Sequence, residues 1–122
     1  MILTFDFASS VPLYTQLRNQ IVMAIASGDL KPGDRLPTIR ALAQESGINM
    51  MTVSRAYQNL KMEGYIITDR RSGATVAQSL PRQMNPETIE TMKLCISELK
   101  AAGMDRNAIL AFCEKLCEEV EK

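Results

Sequence analysis

Residues 36–64 read LPTIRALAQESGINMMTVSRAYQNLKMEG, and how this stretch folds decides the architecture of the chain. Ile39, Leu42 and Ala43 stand at the i, i+3, i+4 spacing of one helical face, and after Gly47 the spacing returns in Val53, Ala56, Tyr57 and Leu60. Two short amphipathic helices therefore share one small core. Gly47 supplies the left-handed backbone that a tight break between helices requires, and Asn49 can accept a backbone N–H of the helix it precedes. Thr38, directly after Pro37, is the matching N-cap of the first helix. Asn49, Met50, Met51, Thr52, Ser54 and Arg55 then fall near the front of the second helix, most of them facing outward. In a helix-turn-helix this end meets base edges in the major groove of DNA.

Upstream, Pro12 suits a first helical turn, and Leu13, Leu17, Ile21 and Ile25, with Tyr14 and Ala24 alongside, make an apolar stripe that should end near Ser27 and Gly28. Lys31-Pro32-Gly33-Asp34 is a turn signal, and Arg35-Leu36 has room for only a stub of strand. The β-prone MILTFDF at residues 1–7, within a lead-in segment 1–9, is either an edge strand or an arm packed on the body. Downstream of Gly64 the period becomes extended. Residues 65–68 (YIIT) and 74–77 (ATVA) flank a polar, basic tip, which predicts a β-hairpin wing over 65–77. Arg70 and Arg71 at that tip would meet phosphates or the minor groove; the plain alternative is a solvated turn.

These elements place one domain over 1–80 and a second module over 81–122. The module opens on Asn85-Pro86-Glu87, an N-cap, an N1 proline and an acidic first turn. Ile89, Met92, Ile96 and Leu99, with Cys95, make the inner side of its first helix, which breaks at Ala102-Gly103. Asp105 caps a last helix with Ile109, Phe112, Cys113, Leu116, Cys117 and Val120 inside. Two helices cover each other's stripes poorly, so a second copy of the chain is expected to complete the burial. A two-fold dimer would set two recognition helices about one DNA turn apart, roughly 34–36 Å, on an inverted repeat. The competing reading folds the hairpin back on its own domain in a monomer.

Charge and composition narrow the class. The 122 residues hold 14 basic and 14 acidic side chains and no histidine. The balance is uneven along the chain: up to residue 80 there are eight Lys/Arg against six Asp/Glu, and from 81 onward six against eight. DNA affinity is therefore expected to be modest and sensitive to salt. With no apolar run long enough to span a bilayer and no leader pattern at its start, the chain is expected in the cytoplasm without a membrane partner. Cys95, Cys113 and Cys117 form no CxxC pair; Cys113 and Cys117, four apart on one helical face, are expected to be small buried hydrophobes, with a metal or redox sensor as the alternative. A thiolate and carboxylate metal site would have to draw on Cys95, Cys113, Glu114 and Cys117. No cofactor or metal is expected, nor an enzyme, for there is no phosphate-cradling glycine loop and no ligand spacing. A small-molecule effector is not specified.

The motifs PLYxQL at residues 12–17, IxxGxLxPGxxLPTxRxLA at 25–43 and TVxxAYxxLxxEG at 52–64 resemble the winged helix-turn-helix domain of GntR-family bacterial transcription regulators. The short C-terminal module makes the chain similar to the YtrA-like branch, in which such a module serves dimerisation. The resemblance implies an α+β fold, a winged helix-turn-helix followed by a two-helix dimerisation hairpin, and a homodimeric regulator of double-stranded DNA, commonly a repressor. It implies a backbone contact at Arg40, with Thr38 in place of the family's usual serine, and a DNA contact at Thr52. Many members carry arginine where Met50 stands, and Arg71-Ser72-Gly73-Ala74 replaces the commoner Gly-x-Gly of the wing. Methionine cannot pair guanine bidentately but can pack on a thymine methyl. The expected DNA contacts are thus Thr38, Arg40, Asn49, Met50, Met51, Thr52, Ser54, Arg55, Arg70 and Arg71, and the expected dimer contacts Ile89, Met92, Ile96, Leu99, Ile109, Phe112, Cys113, Leu116 and Val120. The runner-up from another class is a winged domain that binds protein instead of DNA.

Overall fold

A computed structural model describes residues 2–70, 73–79 and 84–121. The chain divides into two compact units, Met1–Pro81 and Arg82–Lys122.

In the first unit, α1 (Leu13–Ser27) starts directly after Pro12 and stops at Gly28, whose N–H donates to Ile25 O. Its stripe buries Leu17, Ile21 and Ala24. Helix α2 (Ile39–Ser46) begins where Thr38 Oγ1 accepts the Ala41 N–H at 3.1 Å, and it ends at Gly47 with φ +69°. A side chain at that positive φ would be strained, so glycine is what lets the chain turn at once into α3. Asn49 Oδ1 accepts the Met51 N–H at 2.7 Å, and α3 (Met50–Met62) buries Val53, Ala56, Tyr57 and Leu60.

The wing is a two-stranded antiparallel hairpin, β1 (Ile66–Asp69) and β2 (Gly73–Val76), with Ile66 opposite Val76 and Asp69 opposite Gly73. Its root is tied to the turn before α2. Leu36 N–H donates to Ala74 O and Val76 N–H to Asp34 O, both at 2.8 Å, and Arg35 makes a single bridge with Thr75. Ile66 and Val76 close the core beside Leu17, Ile21, Leu36, Leu42, Val53 and Leu60. A buried leucine here contributes about 1.5–3 kcal/mol by its burial, and Leu60→Ala, which also opens a cavity, should cost about 2–5 kcal/mol.

Residues 2–7 form an arm, not a strand. Two glutamines four apart on α1 hold its backbone. Gln20 Oε1 accepts the Thr4 N–H at 2.9 Å while its Nε2 donates to Thr4 O at 2.6 Å, and Gln16 does the same for Asp6 at 2.9 Å each way. Each amide thus substitutes for a neighbouring strand, and Leu3 and Phe5, at the alternate positions, pack on the core.

In the second unit, α4 (Pro86–Ala101) is capped by Asn85 Oδ1 accepting the Glu87 N–H, and α5 (Arg106–Glu121) by Asp105 Oδ1 accepting the Ala108 N–H. Ile109 is buried, whereas Met92, Leu94, Ile96, Leu110, Phe112, Leu116 and Val120 are exposed in a single chain. The cysteines differ from expectation. Cys113 is only partly buried and Cys95 and Cys117 are exposed within one chain. Among the described residues no three His, Cys, Asp or Glu side chains stand close enough to hold a metal ion.

Candidate nucleic-acid interface

The recognition helix is fixed at two points, its middle and its C-terminal end. Toward its C-terminus, Arg18 on α1 grips Glu63 in a two-point ion pair, Nη2 to Oε1 at 2.7 Å and Nε to Oε2 at 3.0 Å. The Glu63 hydrogen bond raises the Arg18 pKa, and the guanidinium also lies 5.8 Å from the Tyr65 ring centre. At mid-helix, Tyr57 Oη donates to Pro37 O at 2.7 Å, and burial pushes the Tyr57 phenol up to about 12. Thus α3 is held against both α1 and the start of α2, which leaves its front and outer face free to be presented as a rigid unit.

On that face Met51, Thr52, Ser54 and Arg55 share one open concavity with Tyr14 and Gln58. Met51 is 80% exposed and Met50 47%. Thr38 and Asn49 each use a side-chain oxygen in capping, and the Thr38 O–H and the Asn49 amide N–H are their donors toward a phosphate. Arg40 is exposed in the first turn of α2. A cation there opposes the helix dipole by about 0.3–1 kcal/mol, so its position does not serve the helix. Arg70 is exposed beyond β1, and Arg71 lies outside the described residues. Among the described residues Arg40, Arg55 and Arg70 form no ion pair. A second concavity, under the arm, is lined mainly by Leu3, Phe5, Phe7, Leu30 and Leu42 with Arg35, which is poor chemistry for a polyanion.

Two features escaped the sequence pattern. Arg55 stacks on Tyr14 with its guanidinium carbon 3.9 Å from the ring centre, a contact between residues far apart in the chain. Leu94 and Leu110 are exposed apolar groups outside the expected stripes, which only counting every apolar residue around each helix would have flagged.

A tripartite helix core, a left-handed break at Gly47 and a hairpin wing now stand together, and residues 13–76 match the model of the family described as "Bacterial regulatory proteins, gntR family". The chain belongs to the gntR family. Among gntR relatives, it is 30% identical over 120 residues to the HTH-type transcriptional repressor YtrA of Bacillus subtilis (strain 168), covering 95% of this chain and 92% of that protein. To the uncharacterized HTH-type transcriptional regulator YdcR of Escherichia coli (strain K12) it is 52% identical over 64 residues, yet spans only 14% of that protein's length. The crystal structure of a transcriptional antiterminator from Listeria monocytogenes EGD-e matches with a TM-score of 0.89 at 27% identity, covering 100% of this chain and 94% of that one. The AraR DNA-binding domain in complex with operator ORX1 matches with a TM-score of 0.56 at 26% identity, over 63% of this chain and 96% of that one. No helix among the described residues is long and apolar enough to cross a membrane.

Proposed function

We infer that this gntR-family chain is a sequence-specific DNA-binding transcription regulator, acting by binding and not by catalysis, in the cytoplasm. The observation that carries this reading is the face of α3. It is locked in place by Arg18–Glu63 and Tyr57–Pro37, and presents Met50, Met51, Thr52, Ser54 and Arg55 outward, with the exposed cations Arg40 and Arg70 on flanking elements. The likeness to AraR, which is solved on its operator, supports DNA as the ligand of such a face. Front-turn residues of α3 would read base edges, with Met50 and Met51 on thymine methyls, while Arg40, Arg70 and Arg71 would hold phosphates.

The exposed apolar residues of α4 and α5 support a homodimer on an inverted repeat. In that arrangement Met92, Ile96, Phe112, Leu116 and Val120, with the partly buried Ile89, Leu99 and Cys113, contact the second copy. Ile109, already buried in one chain, holds the hairpin itself. This division of labour supports a DNA-binding domain over 1–80 and a dimerisation module over 81–122. The similarity to the YtrA repressor favours repression. A protein-binding winged domain draws support from the zero net charge and the exposed Met50 and Met51, and Arg40, Arg70 and Arg71 oppose it.

The test is the salt dependence of duplex binding by the wild type, Arg40→Ala and Arg70→Ala. Each substitution should weaken all sequences alike and lower the slope of log K against log salt by about one unit per protomer. Unchanged affinity and slope in both variants would refute the interface.

A further inference from the structure

Arg55 is exposed, pairs with no carboxylate among the described residues, and nevertheless lies against the Tyr14 ring, its guanidinium carbon 3.9 Å from the centroid. Tyr14 itself is partly buried against the core, so the ring is a fixed platform and not a second mobile side chain. A free arginine loses much rotamer freedom when it is captured by a ligand, and one laid on an aromatic face has given up part of that freedom beforehand. Stacking occupies the flat face of the guanidinium and leaves its edge, which carries the five N–H donors, available to a planar or tetrahedral oxyanion. Met51, Arg55 and Gln58 follow at i, i+4 and i+7, so they share one face of α3, and that face borders the concavity with Tyr14, Thr52 and Ser54. Hydroxyl, amide and guanidinium donors thus surround one hollow with no acidic group in its lining.

We propose that Tyr14 is a positioning residue that holds Arg55 ready for a DNA backbone phosphate seated in this hollow. The assignment rests on the DNA-reading function inferred above and adds the N-terminus of α1 to the interface. It also gives Arg55 a definite task. Held on the ring of Tyr14, which belongs to α1, Arg55 sets the register of the helix on the duplex and does not read a base.

The test uses the full-length protein, an operator-like duplex obtained by selection, and a random duplex of the same length, each titrated by fluorescence anisotropy across a salt series. Arg55→Ala should weaken both duplexes by the same factor, about tenfold, and lower the salt slope by about one unit per protomer. Tyr14→Leu should weaken both by about threefold, Tyr14→Phe should bind as the wild type because the ring is kept, and the double variant Y14L/R55A should be no weaker than R55A. Because Tyr14→Leu also touches the core, the stack is measured directly in the free protein: the Arg55 side-chain protons should be shifted upfield by the ring current. Wild-type affinity and slope in Tyr14→Leu, losses that multiply in the double variant, relaxed preference at a single base pair in Arg55→Ala, or unshifted Arg55 protons would each overturn the assignment while leaving the DNA-reading function intact. A wild-type protein that binds neither duplex would remove that function, and this assignment with it.

Discussion

Tyr57 Oη donates a 2.7 Å hydrogen bond to the carbonyl of Pro37, 20 residues earlier in the chain. It pins the middle of α3 to the residue before the α2 cap, so the two helices of the reading motif cannot change their crossing independently. Removing the hydroxyl in Tyr57→Phe leaves a carbonyl without its partner and should cost about 1 kcal/mol, or about 5 °C in Tm. Folding holds the phenol proton more tightly than the unfolded chain does, since burial raises its pKa to about 12. This contribution is therefore complete below the ordinary tyrosine value of about 10 and is lost as pH climbs from there through about 12. Thermal melts of wild type and Tyr57→Phe at pH 8 and 11 check it, with the gap between them expected to narrow at the higher pH.

Asn49 both caps α3 and stands at its proposed reading end, and two substitutions separate these roles. Asn49→Ala should lose about 1 kcal/mol of stability. Asn49→Asp should keep the cap and gain slightly from the helix dipole, yet weaken DNA binding by placing a negative charge against phosphates. Melting curves paired with duplex titrations distinguish them; equal DNA affinity in Asn49→Asp and wild type would place Asn49 outside the interface.

The Arg18–Glu63 pair joins α1 to the end of α3 with side chains that are 26% and 29% exposed. Partly screened as it is, it should be worth no more than about 1 kcal/mol. Glu63→Gln is expected to lower Tm by a few degrees at low salt and by less at about 1 M salt. Because the pair lies away from the reading end, DNA affinity should stay within about twofold.

Ile96 and Leu116 are 38% and 41% exposed in one chain, so changing them leaves the packing of a single chain largely intact. In Ile96→Glu/Leu116→Glu the proposed dimer surface carries unpaired charge. The variant should sediment as a monomer and bind an inverted repeat on the order of 100-fold more weakly than wild type, through loss of the second half-site. A wild-type protein already monomeric at micromolar concentration would remove the dimer.

The helix boundaries were legible because their determinants are local. Pro12, Thr38, Gly47, Asn49, Pro86 and Asp105 act on backbone within a turn of themselves, and each does so where its chemistry indicates. Residues 2–7 were ambiguous for the opposite reason. Their hydrogen-bond partners are the side chains of Gln16 and Gln20, which no strand pattern marks. The Tyr14–Arg55 stack was hidden likewise, since Tyr14 looks like one more stripe residue until α3 is laid beside it. The cysteines misled because free cysteine is usually buried, and in a hairpin of two helices there is too little protein to bury Cys95 and Cys117.

The most direct measurement is selection from a random duplex library by the full-length protein at physiological salt. Enrichment of an inverted repeat with half-sites about one helical turn apart is expected, because two copies of α3 would read it together. Recovery of no preferred sequence, with only weak salt-dependent binding to every duplex, would contradict the account.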